Sequence, residues 1–335
     1  MKMITLLKSL PGLAKVCLGS KVPLRVSQCI TYRCNLNCNY CSRNTRTESE
    51  LPTGQVMDIM RSFRKRGALY WSLNGGEPLM RDDIGKLVDH ARDLGMYLTI
   101  ATNGTMVKSR IEEIKRADLV NISIDGTREI QDQMRSGSFE RIIEGLDALA
   151  GKSIATTFTT VIGKHSCHST DSVLDLAEEY HARVFFQPVR VQKEDIQGKS
   201  MAYFPSKNEM EEALEHIIAE KRKGRPVASS VKYLELMKRC WPDTMPDVKC
   251  WAGRIYCFIT PEGYVTACCD TMASARETPE CDIKIHGAGA FQNIPRFNCA
   301  TCYSSIPSEV NLMMNTLFRN PLELIGQLMS FFIRR

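Results

Sequence analysis

No aspartate or glutamate occurs before Glu48, and Lys2, Lys8, Lys15, Lys21 and Arg25 punctuate an apolar background over that stretch. Long hydrophobic runs are missing as well. No uninterrupted apolar stretch reaches the ~18 residues that a membrane-spanning helix needs. Lys8 and Pro11 break the first apolar run, and no small-residue cleavage site follows, which argues against a secretory signal. Low-complexity segments are absent, so the chain is not a disordered tail or linker. Lys/Arg blocks and basic–aromatic interleaving are absent too. The net charge of +6 on 335 residues is modest, and a patch such as Arg61, Arg64, Lys65 and Arg66 reads as a solvated helix face. That excludes a nucleic-acid footprint.

What the chain has in excess is cysteine, fourteen in all. A secreted disulfide framework is usually a short chain, and this one is long. Clustered spacings point to metal ligation in a reducing, cytoplasmic compartment. Cys34, Cys38 and Cys41 follow a C-x₃-C-x₂-C spacing directly after the apolar run Leu24 to Ile30. Three thiolates hold a metal centre from one side and leave a coordination position open, and open positions are where metals do chemistry. Gly75-Gly76-Glu77-Pro78 follows another apolar run. Glycines let a backbone approach a ligand closely, and a carboxylate there accepts hydrogen bonds from an ammonium group.

Six β-rich runs alternate with helix-period segments: Leu24–Ile30, Leu69–Leu73, Tyr97–Thr102, Leu119–Ile124, Thr156–Val161 and Arg183–Gln187. The alternation predicts an α/β fold with a parallel sheet, curled by right-handed crossovers into a barrel or part of one. Active sites of parallel barrels gather at the C-terminal strand ends. The cysteine triad, Gly75-Gly76-Glu77, Asn103, Ser123 with Asp125, and Gln187 all fall there. Asn103-Gly104 and Asp125-Gly126 are also turn signals in any protein, so a loop-forming role stays open for both. Later, Ile255–Thr260 and Tyr264–Cys268 flank Pro261-Glu262-Gly263, a hairpin signal. The last 25 residues read as helical, with Leu322, Ile325, Leu328, Met329 and Phe332 at helical spacing.

The triad with its downstream GGEP resembles the radical S-adenosylmethionine (radical SAM) superfamily. The resemblance implies a partial (β/α)6 TIM-like barrel with a small cysteine-rich C-terminal extension. It implies a 4Fe–4S cluster on Cys34, Cys38 and Cys41 whose unique iron binds the methionine end of SAM. Gly75, Gly76 and Glu77 then hold the methionyl amine, Tyr40 lies against the adenine, and Ser123 and Arg135 contact the carboxylate or ribose. Asn103, Asp125 and Gln187 join that cofactor-binding set. The segment Ser123–Phe139 resembles the family's S-x-D-G…D-x-x-R…S-F-E stretch, although Gln131 stands where a His is usual.

A second constellation is Cys250, Gly263, Cys268 and then Cys299-x₂-Cys302. Four thiolates make a closed set. The spacing alone also allows a zinc knuckle. The layout resembles the twitch domain, the shortened relative of the SPASM domain, which carries one auxiliary 4Fe–4S cluster. The C-x₂-C-x₅-C-x₃-C run of a full SPASM domain is missing, so spacing favours one auxiliary cluster over two. Cys257, Cys269 and Cys281 are left over. Cys17, Cys29, Cys167 and Cys240 read as small core residues, and His165 and His168 as surface or core residues.

These expectations divide the chain into a basic apolar segment (1–23), a barrel core (24–190), a helical connection (191–249), an auxiliary-cluster domain (250–303) and C-terminal amphipathic helices (304–335). The resemblance implies reductive cleavage of SAM to a 5′-deoxyadenosyl radical that abstracts a substrate hydrogen. An auxiliary cluster makes the net reaction an oxidation, such as a dehydrogenation or crosslink. A reductant such as flavodoxin or ferredoxin is expected. No residue is singled out as catalytic acid or base. The substrate stays open among a small molecule, a lipid or isoprenoid, and a peptide, with 33 residues before Cys34 too few for a leader-binding domain. The alternative is a non-catalytic Fe–S or zinc-binding interaction protein. For the apolar, basic ends two readings compete: peripheral contact with a membrane surface, and closure of an incomplete barrel.

Overall fold

The computed structural model describes residues 3–41, 49–189, 199–244, 247–272, 276–295, 299, 302 and 304–319. Six parallel strands run in sequential order: β1 (Arg25–Thr31), β2 (Tyr70–Gly75), β3 (Tyr97–Thr102), β4 (Leu119–Ser123), β5 (Ala155–Ile162) and β6 (Arg183–Pro188). Helices α2 (Thr53–Lys65), α3 (Ile84–Asp93), α4 (Val107–Ile114), α5 (Arg128–Met134), α6 (Phe139–Leu149) and α7 (Thr170–Glu179) connect them. The expected strands and crossovers are therefore present to within a residue or two. The sequence reading did not anticipate α5, a helix of only seven residues.

Strand alternation builds two unlike faces. Val26, Trp71, Leu73, Leu98, Ile100, Val120, Ile122, Phe158 and Phe186 are buried outward against helix residues such as Phe63, Leu87, Ile142 and Leu174. Successive strand side chains point to opposite faces, so Arg25, Ser27, Ser72, Asn74, Asn121, Ser123, Thr159 and Gln187 line the interior. The core is thus an apolar shell around a polar lumen.

The C-terminal hairpin does not form a sheet of its own. β7 (Tyr256–Ile259) pairs in parallel with β1, from Arg25↔Tyr256 to Gln28↔Ile259, and β8 (Val265–Thr266) follows antiparallel at the edge. At the opposite edge β6 meets α8 (Lys207–Arg222) and α9 (Val231–Cys240) through the Val184↔Val227 bridge. After the single turn α10 (Ile283–His286), α11 (Ser305–Arg319) spans these two sides. Ser305 Oγ donates to Gln187 Oε1 (3.1 Å), Glu309 accepts from Ser230 N (2.6 Å), and Asn311 Oδ1 accepts from Trp251 N (2.8 Å). The expected helix C-terminal to residue 319 lies outside the described residues.

The N-terminal helix α1 (Met3–Cys17) closes the other end. Thr5, Ser9 and Val16 are buried, and Ser9 Oγ reaches Tyr70 Oη at the start of β2 (3.4 Å). This favours barrel closure for the inner face of the first segment. Its outer face is a different matter: Leu7 is 57%, Leu10 54% and Leu18 87% exposed. Among the described residues no helix is long and apolar enough to cross a membrane. Of the cysteines read as core, Cys29, Cys167 and Cys240 are buried. Cys17 is exposed, because it ends α1 on the solvent side.

Asn311 is buried and serves as the acceptor that ties α11 to the start of the cysteine-rich hairpin. Its replacement by Ala orphans a buried backbone N–H. We expect a loss of about 1–3 kcal/mol, read as a lower denaturant midpoint. An unchanged midpoint would mean that α11 contributes nothing to closure.

Candidate active site

The triad loop leaves β1 and is held from two directions. On one side Asn39 N donates to Met134 O (3.1 Å) and Asn39 Nδ2 to Gln133 O (3.0 Å), while Ser136 Oγ bonds Asn37 N and O. On the other side lie the two glycines. Gly76 N donates to Thr31 O and Glu77 N to Arg33 O, both at 2.8 Å. A Cβ on Gly76 would stand 2.4 Å from the carbonyl oxygens of Tyr32 and Arg33, and one on Gly75 2.4 Å from Thr31 O. The glycines are needed because β2's end lies directly on the chain that carries the cysteines.

Glu77 is fully buried. It accepts from Thr102 Oγ1 (2.7 Å), Asn103 N (2.7 Å) and Leu79 N (3.0 Å), and burial lifts its pKa to about 7 against those donors. Its carboxylate thus ties the end of β2 to the end of β3. Asn103 Nδ2 approaches Cys34 Sγ (3.9 Å) and bonds Asn35 Oδ1 (2.8 Å), while its Oδ1 accepts from Thr105 N (3.0 Å). The residue forms the turn and faces the cysteine at once.

Asp125, also buried, organises a third corner. It accepts from Tyr40 Oη (2.5 Å), Arg135 Nε (2.8 Å), Arg135 Nη2 (3.2 Å) and Val161 N (3.0 Å). The Arg135 guanidinium lies over the Tyr40 ring, 5.4 Å from its centre. Burial opposes the Arg135 charge, but Asp125, Tyr40 and Cys38 outweigh it and raise its pKa. Burial also pushes the Cys34 thiol up and the Cys38 thiol up to about 11.

These elements surround a cavity of about 360 Å³. Tyr40, Gly75, Gly76, Asn103, Ser123, Arg135 and Gln187 line it, together with Cys34, Cys38 and Cys41. Glu77 and Asp125 stand behind the wall and hold residues that are on it. The hairpin closes the flank with Tyr256, Phe258, Cys268 and Cys269. Cys250 Sγ is 3.9 Å from Tyr256 Oη, and burial raises the thiol pKa of Cys302 to about 12 and that of Cys268 well above the ordinary value. Electrostatic coupling links Cys268 with Cys269 and Cys302, and Cys302 with Cys250. Cys299 is half-buried three positions earlier. Cys269, left over by spacing, thus joins the group. The doubled Cys268-Cys269 was the only sequence hint.

The cysteine triad fits a multi-iron cluster better than one ion. Ligands on a single zinc converge to within about 4 Å of each other at a ~2.3 Å Zn–S distance. Among the described residues, the groups of His, Cys, Asp and Glu whose ligand atoms all lie within 4.8 Å of one another are Cys167/His168/Glu209 and Asp171/His216/Glu220. The second of these is already engaged by Arg225 and Lys223. Neither cysteine group is among these, and the wider spread of the triad suits a cluster that gives each thiolate its own iron. Buried thiols with raised pKa values also need a cationic centre to ionise.

Gly76→Ala forces a Cβ into two carbonyl oxygens of the triad segment. The expected outcome for the purified, reconstituted protein is loss of most iron held by Cys34, Cys38 and Cys41, measured as total iron against the wild type. Full retention would contradict the close approach described above.

Residues 29–177 match the radical SAM superfamily. The chain is 28% identical over 259 residues to the mycofactocin maturase MftC of Mycobacterium ulcerans, covering 75% of this chain and 69% of that protein. It covers 65% of the MftC of Mycobacterium tuberculosis, so it spans about two thirds of these relatives. It is 32% identical over 158 residues to the Fe-coproporphyrin III synthase of Methanosarcina barkeri, covering 45% of this chain and 40% of that protein. In fold it is similar to Streptococcus suis SuiB bound to the precursor peptide SuiA, with a TM-score of 0.60 at 17% identity, covering 77% of this chain and 63% of that one. The triad, the paired glycines and the strand-end residues Asn103, Ser123, Asp125 and Arg135 fall within the matched segment, Gln187 lies beyond it, and the chain carries a radical SAM domain over residues 29–177.

Proposed function

We propose that this enzyme oxidises an organic substrate by two electrons, in a dehydrogenation or crosslink, with cysteine-held clusters on two sides of one cavity. The observation that supports it is the cavity wall itself: Cys34, Cys38 and Cys41 stand at the mouth, and Cys268 and Cys269 on the flank. When bound, a 4Fe–4S cluster and SAM supply one-electron cleavage of the sulfonium and abstraction of a substrate hydrogen atom. The chain's own residues supply position and dryness. Gly75 and Gly76 give a ligand access to backbone, Asp125 fixes Arg135 and Tyr40, and Asn103 sits beside the Cys34 sulfur. α1 and α11 exclude water from the lumen.

Cys250, Cys268, Cys299 and Cys302 are the proposed holders of a second 4Fe–4S cluster in a twitch-like extension (250–303), as an electron acceptor near the substrate. A flavodoxin or ferredoxin is the proposed reductant. Similarity to a maturase and to a peptide-bound structure favours a peptide substrate over a small molecule or lipid. The outward Leu7, Leu10 and Leu18 with the neighbouring lysines support a subsidiary reading: peripheral contact of α1 with anionic lipid.

Three outcomes test these readings. Replacing Cys34, Cys38 and Cys41 together by Ala is expected to abolish 5′-deoxyadenosine formed anaerobically under dithionite. Undiminished production would sink the radical assignment, and absence of cleavage by the wild type would favour a non-catalytic Fe–S module. The same triple variant is expected to keep about four irons on the second set. No iron, or stoichiometric zinc, would remove the auxiliary cluster. Full-length protein is expected to sediment with anionic vesicles at low salt. Protein that stays in the supernatant would end the membrane reading.

A further inference from the structure

The lumen wall carries two charged side chains among the described residues, Arg25 and Arg135, and no carboxylate. Their situations differ. Arg135 is neutralised by a two-pronged pair with Asp125. Arg25 has no such partner: no carboxylate of the described residues lies within ion-pair distance of it. Its register neighbours are Tyr70 on β2, then Tyr97 on β3, and Tyr256 on β7. Burial lowers its pKa, and only Tyr70 and Tyr97 oppose that shift. Arginine nevertheless keeps its proton at any physiological pH. A half-buried cation that lines a cavity without a counter-charge gives up part of its hydration, and a side chain held that way in a ligand cavity calls for an anion from outside the chain.

The position fits. Arg25 opens β1 and Cys34 follows its end, so the guanidinium and the triad border one cavity from opposite ends, separated along the strand by roughly 20 Å at ~3.3 Å per residue. Between them the wall is neutral and hydrogen-bonding: Ser27, Ser72, Asn74, Asn121 and Thr159. Asn74 Nδ2 donates to Ser27 Oγ (2.9 Å). α1 seals the space below, where Ser9 meets Tyr70.

We propose that Arg25 is a specificity-determining anchor for an oxyanion of the substrate, a carboxylate or a phosphate, held at the barrel floor. This rests on the lumen being the substrate cavity of the radical enzyme. An anion fixed there sets how far the rest of the substrate extends toward the mouth, and so which carbon meets the reacting centre. A guanidinium suits the task because its planar donors pair bidentately with carboxylate or phosphate.

The test uses the reconstituted full-length protein and three probes of similar size, benzoate, benzamide and phenyl phosphate, in anaerobic equilibrium dialysis. Benzoate is expected to bind at least about tenfold more tightly than benzamide, as a charge-assisted pair requires. Arg25→Gln is expected to erase that ratio, and Arg25→Lys to keep part of it, because the charge remains and the fork is lost. A purely structural Arg25 would leave the ratio unmoved. Tighter binding of phenyl phosphate than benzoate assigns a phosphate anchor, and the reverse order a carboxylate. Equal binding of benzoate and benzamide by the wild type, or a preference that survives Arg25→Gln, overturns the proposal. Should the Gln variant fail to fold, the wild-type ratio and its reduction in the Lys variant decide the matter. SAM cleavage plays no part in this readout. Failure of the radical reading shows separately, as absence of 5′-deoxyadenosine.

Discussion

The contact on which the site depends is backbone on backbone. Gly75 and Gly76 lie against Thr31, Tyr32 and Arg33 with no room for a side chain, and two 2.8 Å hydrogen bonds fix the approach. Behind them Glu77 clamps the ends of β2 and β3 through three donors. The loop bearing Cys34, Cys38 and Cys41 would otherwise be a connection at the mouth of a barrel, free to sample many shapes. Here its root is pinned by β2 and its middle by the turn after α5. Holding ligands on rigid strand ends reduces the ordering that cluster binding must impose.

The polar lumen follows from the same architecture. Outward strand residues face helices and must be apolar, while inward residues face each other across a space they do not fill. A closed eight-stranded barrel packs its interior with branched side chains. This one has serines, threonines and asparagines in those places, with α1 below and α11 across the open side. The hydroxyls and amides add little to a hydrophobic core, so the shell of Val, Ile, Leu and Phe carries that burden. The lumen is left to recognition. Arg25 is the extreme case of the division, a charge that no carboxylate among the described residues balances.

Much of this was legible in the sequence, for physical reasons. Six apolar runs separated by helical periods announce parallel βα units, and polar motifs at each run's end announce the mouth. Asn103 and Gln187 stand at such ends, Tyr40 and Arg135 came from the family resemblance, and all four line the cavity. Glu77 was identified too, but as a residue facing a ligand rather than one buried behind the glycines. A carboxylate after two glycines signals close approach without saying which side it takes. Arg25 was counted merely as one of several early basic residues, since its partnerless state is a property of the neighbours on β2, β3 and β7. Cys269 was left over because Cys250, Cys268, Cys299 and Cys302 already make a set of four thiolates. Neither assignment could be made before strand register and hairpin position were known.

The placement of the hairpin explains why one cavity meets both cysteine groups. A six-stranded sheet leaves two edges, and exposed edges invite unwanted pairing. β7 covers the β1 edge, and β1 is the strand whose end carries the triad. Any ligands grafted on the β7–β8 hairpin therefore arrive beside the lumen, on the flank next to Cys34 rather than across the molecule. At the far edge β6 is bridged by Val227 and tied by Gln187 to α11, which begins just after Cys302. Cys302 of the second cysteine group thus stands three positions before Ser305, where α11 starts at the barrel's open side. Closing the barrel and bringing the second thiols to the cavity are one structural act, because the elements that cover the edges are those that carry the cysteines.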